Sequence, residues 1–289
     1  MTTVQQLLDR IRRDYLTQGR VEPRNKLASS ITDSETTLTF TCDLDNIVAG
    51  SIISIGLEDF HVWSTDTTAK TAVVDRGIDG TTAAAHTTAE RVRVTPRWTD
   101  AQLLRAVNSE LDNLYAQGLY GVDTDAFDYS ASTIGYEIDA NADSIWQVQV
   151  KDYAFDNWVR LSGWEFRVNQ DTTMFPSGKA IYLRQGAYPG QSVQVSYRRP
   201  FVHLSSLSQT VASTSLLADT SEDVLAMGTA ITLLVGRGVS QRLLESQGST
   251  RRAEEVPPGA LEQAITPIIR QYQARVRAER STLTRKYGL

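Results

Sequence analysis

The sequence is poor in the groups that build catalytic and metal centres. Cys42 is the single cysteine in 289 residues, which excludes an intrachain disulfide and any cysteine-built metal site. That usage fits folding in a reducing cytoplasm. Only three histidines are present, His61, His86 and His203, so imidazole chemistry has few places to occur. No run of about 18 apolar residues exists, and no transmembrane helix is expected. The N-terminal stretch MTTVQQLLDRIRRDYL mixes charges at helical spacing and lacks the apolar centre of a secretory leader. There is no HExxH, no GxSxG and no phosphate-binding GxxxxGK followed by Ser or Thr. Internal repeats and low-complexity tracts are also missing. A net charge of −5 argues against a nucleic-acid binder that relies on a broad basic face. It leaves room for a surface that surrounds nucleic acid without gripping it. No cofactor and no metal is expected, and the chain does not read as an enzyme.

What is present is periodicity. Hydrophobic residues make up 41% and charged residues 22%, the balance of a globular protein. Val4, Leu7, Leu8, Ile11 and Tyr15 recur at steps of three and four, which predicts a helix over 3–18 ending at Gly19. Thr99 and Gln102 have the spacing of a capping box ahead of a stripe of Leu103, Leu104, Val107, Leu111, Leu114 and Tyr115. That predicts a helix over 99–118 with Gly118 as its left-handed stop. A third helix is expected over 221–246. It contains Gly228, Gly236 and Gly238, which fit either a close helix–helix approach or a kink. A polar linker, Gln247–Gly259, precedes a last helix over 260–286. Its apolar stripe ends near Val276 while Arg275, Arg277, Arg280, Arg285 and Lys286 accumulate, the pattern of a helix end that projects.

Period-two alternation fills the rest. Between 27 and 95 it runs through Leu38–Cys42, Ile53–Leu57, Phe60–Val62 and Val92–Val94, with Val73 and Val74 as a short apolar pair. Between 129 and 200 it runs through Ile134–Ile138, Trp146–Val150, Trp164–Val168, Ile181–Leu183 and Val193–Tyr197. Clean alternation implies antiparallel sheet with one wet face. The expected fold class is therefore α+β: a bundle core of about four helices with two antiparallel β-rich insertions of small barrel or sandwich type. The helical core would comprise 1–26, 96–122 and 201–289, ending in a C-terminal arm. The insertions would be 27–95 and 123–200.

Several constellations invite a chemical reading, and each has a plainer one. GIDGTT, Gly77–Thr82, reads as a hairpin loop, and His86 as a packed or hydrogen-bonded loop histidine. His61 beside Glu58 and Asp59 reads as a solvated strand edge ahead of a metal pair. Asp123, Asp125 and Asp128 lack the glycine and the terminal glutamate of a calcium loop and read as a polar connector. Glu254 and Glu255 sit in the linker with Arg251 and Arg252 as solvated charge. Trp146, Trp158, Trp164, Tyr153 and Tyr188 fit core packing ahead of a sugar platform. The C-terminal cations Arg275, Arg277, Arg280, Arg285 and Lys286 are the candidate partner-binding residues, for portal or DNA. Removing 275–289 is expected to spare folding and abolish docking.

Three stretches together carry a resemblance. They are RGIDGTTAAAH running into RVRVTPRWTDAQLLRAVNSEL, then VQVSYRRPF, then LAMGTAITLLVGRG. In this order the chain resembles the head-to-tail adaptor (connector, or head-completion) proteins of long-tailed bacteriophages. The resemblance implies a virion structural protein of the neck, between capsid and tail, assembled in the host cytoplasm. It implies a cyclic homo-oligomer, a dodecamer, stacked beneath the portal protein. A stopper or tail-completion protein would meet the other face, genomic double-stranded DNA would pass non-specifically through the lumen, and no membrane would be involved. An acidic chain suits such a conduit, since like charge keeps DNA off the wall. The alternative is a tail-tip or baseplate module that recognises host-surface glycan.

Overall fold

The computed structural model of the protein describes residues 2–16, 22–184, 186–246 and 260–287, with side chains outside 236–246 and 260–265. The expected stop at Gly19, the linker 247–259 and its Glu254–Glu255 pair lie outside the described residues. The chain divides into two compact units. The first takes Met1–Glu110, His203–Ala212 and Asp219–Arg275, and the second takes Leu111–Val202, Ser213–Ala218 and Val276–Leu289.

In the first unit α1 (Val4–Ile11) opens with a capping box: Thr3 accepts from the Gln6 amide while the Gln6 side chain accepts from the Thr3 amide. The helix widens into a π turn, Arg12–Leu16. Six strands follow: β1 (Arg24–Lys26), β2 (Thr37–Thr39), β3 (Ile52–Ile55), β4 (Glu58–Asp66), β5 (Thr71–Arg76) and β6 (Arg91–Val94). They form one antiparallel sheet in the order β1-β6-β3-β4-β5-β2, curled into a half-barrel. Its two outer strands approach only at the bridge Leu27–Phe40. The alternating residues Leu38, Phe40, Ile53, Ile55, Phe60, Val62, Val74, Val92 and Val94 fill its interior. A register shift after Val62 turns Trp63 outward.

A buried ionic cluster ties α1 to this sheet and to the start of α2 (Asp100–Ala116). The Arg12 guanidinium lies 2.5 Å from Asp100 and donates to the Trp98 carbonyl at 2.9 Å. Arg93 reaches Asp9 at 2.7 Å and Asp100 at 3.4 Å. Burial lowers the Arg12 pKa against the opposing pull of Asp100. The Thr99–Gln102 capping box is formed as the spacing predicts, with bonds of 3.1 and 3.3 Å.

The second unit holds β7 (Gly121–Asp128), β8 (Tyr136–Glu137), β9 (Ser144–Asp152), β10 (Asn157–Arg160), β11 (Trp164–Val168), β12 (Lys179–Leu183) and β13 (Ser192–Arg199). They make a four-stranded sheet, β10-β9-β13-β7, and a three-stranded sheet, β11-β12-β8, both antiparallel. Val148, Val150, Val193, Val195 and Tyr197 of the first sheet and Ile181 of the second share one core. Burial and then Asp125, whose carboxylate accepts the Tyr197 hydroxyl at 3.2 Å, push the phenol pKa up. The acidic run Asp123–Asp128 is thus strand β7, not a connector. Asp123 pairs with Arg199 at 2.9 Å and Asp128 accepts from Ser192 at 2.7 Å.

A short helix α3 (Val211–Ser215) precedes α4 (Glu222–Ser246) and α5 (Ala260–Tyr287). Gly228 of α4 answers a close approach, not a kink. A Cβ there would stand 2.0 Å from the Glu110 carboxylate of α2, which also accepts the Tyr272 hydroxyl at 2.6 Å, all within the first unit. The surroundings of Gly236 and Gly238 lie outside the described side chains.

The expected α+β class with a four-helix bundle core is corrected by this architecture. Among the described residues the protein is mostly β-sheet, with three antiparallel sheets, one a half-barrel, and five helices, four of them of seven residues or more, and these do not make a four-helix bundle core. The physical reason is that helical periodicity shows which stripe is buried but not what buries it. Two hydrophobic clusters, one in each unit, are made of strand and loop residues, beside the buried stripes of α1, α2 and α4.

Candidate functional site

In the second unit one end of the four-stranded sheet meets the last turns of α5 and the end of α2. The α2 terminus is a Schellman motif: the Gly118 amide donates to Tyr115 at 2.9 Å and the Leu119 amide to Leu114 at 3.0 Å. Gly118 has φ +88°, a conformation that favours glycine. The chain then reverses through Tyr120 into β7. Arg198, near the end of β13, and Asp143 and Ser144, at the start of β9, face it. Arg280 and Thr284 approach from successive turns of α5. Together with Tyr115 and Leu119 these residues line a cavity of about 570 Å³.

The cavity is cationic. The Arg198 guanidinium carbon lies 4.6 Å from the Tyr120 ring centroid. Arg280 lies over Gly118, with its Nε 3.4 Å from where a Cβ would stand. Neither arginine has a carboxylate partner among the described residues. The Tyr120 hydroxyl and Arg198 Nε are shut off from solvent and have no hydrogen-bond partner. Two guanidinium groups with free donors match the oxygens of a carboxylate or phosphate in a way a lysine could not. No histidine lines the cavity, and no hydrogen bond joins the Asp143 carboxylate to the Ser144 or Thr284 hydroxyl. That arrangement is suited to holding an anion.

The C-terminal cations are placed very differently from one another. Arg275 bonds Asp223 at 3.0 Å and the Thr220 carbonyl at 3.2 Å inside the first unit. Arg280 lines the cavity. Arg277 and Arg285 are exposed. Lys286 lies 5.1 Å from the Tyr287 ring centroid, and Tyr287 itself meets Trp146 edge-on at 4.7 Å. The helix end therefore packs within the second unit and does not project. Deleting 275–289 would remove the Tyr287–Trp146 contact and take Arg280 from the cavity, so the deletion is expected to destabilise the second unit and not to spare folding. Arg198 was not singled out in the sequence. Its signal was the alternation in VQVSYRR, which puts it on the wet face of its strand beside a strand end.

The glycine-bearing loop is architecture. Arg76 holds the Glu58 carboxylate by two bonds, 2.9 and 2.8 Å, and also reaches the carbonyls of Thr32, Glu35 and Ala84. His86 Nε2 lies 2.9 Å from the same carboxylate, and the Ala84 amide donates to it at 3.0 Å. Burial alone would raise the Glu58 pKa, but these bonds hold it below the usual carboxylate range. His86 is thus a buried, bonded loop histidine. The next residue behaves in the opposite way. Asp59 is fully buried and neither carboxylate oxygen has a partner at bonding distance, so burial pushes its pKa up, only partly offset by the nearby Ser54 and Thr99 hydroxyls. His61 packs edge-on to Trp63 at 4.6 Å. Among the described residues no cluster of three or more His, Cys, Asp or Glu is placed to hold a metal ion.

The chain matches no known protein-family model and no curated protein in sequence.

Proposed function

We propose that this chain is a virion structural protein, a head-to-tail adaptor. It forms an oligomeric ring between the portal and the tail-side connector proteins, with the genome passing through its lumen, and it is not an enzyme. On this reading the Arg198–Arg280 cavity takes an acidic segment of a neighbouring structural protein. One observation carries the reading: two arginines without carboxylate partners among the described residues converge on one cavity. It is joined by the order of sequence elements that resembles adaptor proteins, and by an overall charge of −5 that suits a DNA conduit.

The experiment is docking. Purified protein is mixed with portal rings and imaged by electron microscopy, alongside Arg198→Glu and Arg280→Glu. The unaltered chain should add a cyclic layer to the portal, and the charge reversals should remove that layer without changing far-UV circular dichroism. A chain that stays a monomer alone and with portal rings overturns the proposal. So does docking that is indifferent to both reversals, as regards the role of the cavity.

A further inference from the structure

Aromatic residues expected in the core of the second unit stand outside it. Tyr153 is 61% exposed and Trp158 39% exposed. Both rings are nonetheless fixed. Trp158 sits opposite Lys151 across the β9–β10 ladder, and the Lys151 ammonium lies 5.6 Å from the ring centroid while paired to Asp156 at 2.5 Å. The Tyr153 hydroxyl meets Ser192 Oγ at 3.1 Å, and Ser192 donates to Asp128 at 2.7 Å. Polar groups at their edges hold the rings while much of their surface stays open to solvent. Along the same face of the sheet, Gln149 and Gln194 sit opposite one another on β9 and β13.

We propose that this end of the four-stranded sheet binds a neutral pyranose-based glycan. The C–H face of a pyranose ring is apolar and stacks on an aromatic face, while its hydroxyls need side chains that both donate and accept. The amides of Gln149 and Gln194 both donate and accept, and the Asp128 carboxylate adds an acceptor. Pre-positioned rings lose little conformational freedom on binding, which favours a weakly binding ligand class. Charge on this face is balanced and gives no preference for an acidic polysaccharide: Lys151 is paired to Asp156, and Arg160, opposite Gln149 on β10, is offset by Asp128. A protein partner fits the face less well. The centre of a protein interface is depleted in charge, whereas this face carries Lys151, Arg160 and Asp128. The inference does not depend on the adaptor reading, and portal docking is measured separately.

The test is titration of the full chain with maltotetraose, cellotetraose and chitotetraose, followed by calorimetry and by the tryptophan indole resonances. At least one sugar should bind saturably and shift an indole N–H, a readout that needs no variant. Trp158→Ala should weaken binding by roughly tenfold or more with circular dichroism unchanged. Tyr153→Phe, which removes only the anchoring hydroxyl, should weaken it less. No heat and no shift with all three sugars at about 10 mM overturns the proposal, since even weak glycan sites would be populated there. Binding unaffected by Trp158→Ala overturns it too. A change of oligomer mass in Trp158→Ala without glycan binding would assign the face to protein contact and equally overturn it.

Discussion

Two glutamates, one in each unit, do similar work in different media. Glu58 in the half-barrel accepts from Arg76 and lies against His86; Glu165 in the sandwich accepts from Arg167 and Arg184. The Glu58 side chain is 1% exposed and that of Glu165 is 35% exposed. In water an ion pair gains little, because solvent screens it and two long side chains must be ordered. In the interior the same pair is costly to form and far more costly to break, because the abandoned charge stays buried. The first unit is therefore locked by charge, through Glu58 and through the Arg12–Arg93–Asp100 cluster. The second has an apolar core of its own, and two of its cations, Arg198 and Arg280, have no carboxylate partner among the described residues.

The largest effect should follow from Glu58→Ala. It strands Arg76 and His86 in the interior and should cost about 3–5 kcal/mol, seen as loss of amide protection in β3–β5 during hydrogen exchange. Glu165→Ala should leave exchange in the second unit essentially unchanged. Equal effects would break the comparison.

Gly228→Ala separates packing from helix propensity. Propensity alone would make the substitution stabilising by about 1 kcal/mol. The 2.0 Å approach to Glu110 predicts the opposite sign, a loss of about 1–3 kcal/mol in chemical denaturation.

The neighbours Glu58 and Asp59 sharpen the point with pH. The Glu58 pKa is lowered by folding, so its contribution is present above the unfolded value and lost as pH falls through the folded one. The Asp59 pKa is raised, so its contribution is present at low pH and lost as pH rises through the folded value. At neutral pH Asp59→Asn should therefore stabilise, by about 1 kcal/mol, in thermal melts. A destabilised Asp59→Asn would mean that the carboxylate has a partner after all. Thr99→Ala is expected to cost about 0.5–2 kcal/mol through loss of the α2 cap, seen in chemical denaturation.

Much of this was legible in the sequence because it is local. The Thr99–Gln102 cap, the β6 strand Arg91–Val94 and the loop role of His86 follow from spacing over a few residues. The burial of Gly228 against Glu110 did not, since the two are far apart in sequence and only the alternatives of close approach or kink could be stated. The bundle core was misread for the same reason: each helical stripe is real, but its partner is set by the whole chain. Tyr153 and Trp158 were assigned to the core because alternation marks faces in a regular strand, whereas Tyr153 sits in the turn after β9 and Trp158 on the outermost strand of its sheet. The cavity needed Arg198, Tyr120 and Arg280 to come together from three distant segments, which no local pattern encodes.

The central claim is tested most directly by imaging the protein mixed with portal rings. The adaptor account predicts a cyclic layer on the portal that disappears with Arg280→Glu. A protein that remains monomeric and leaves the portal bare would contradict it.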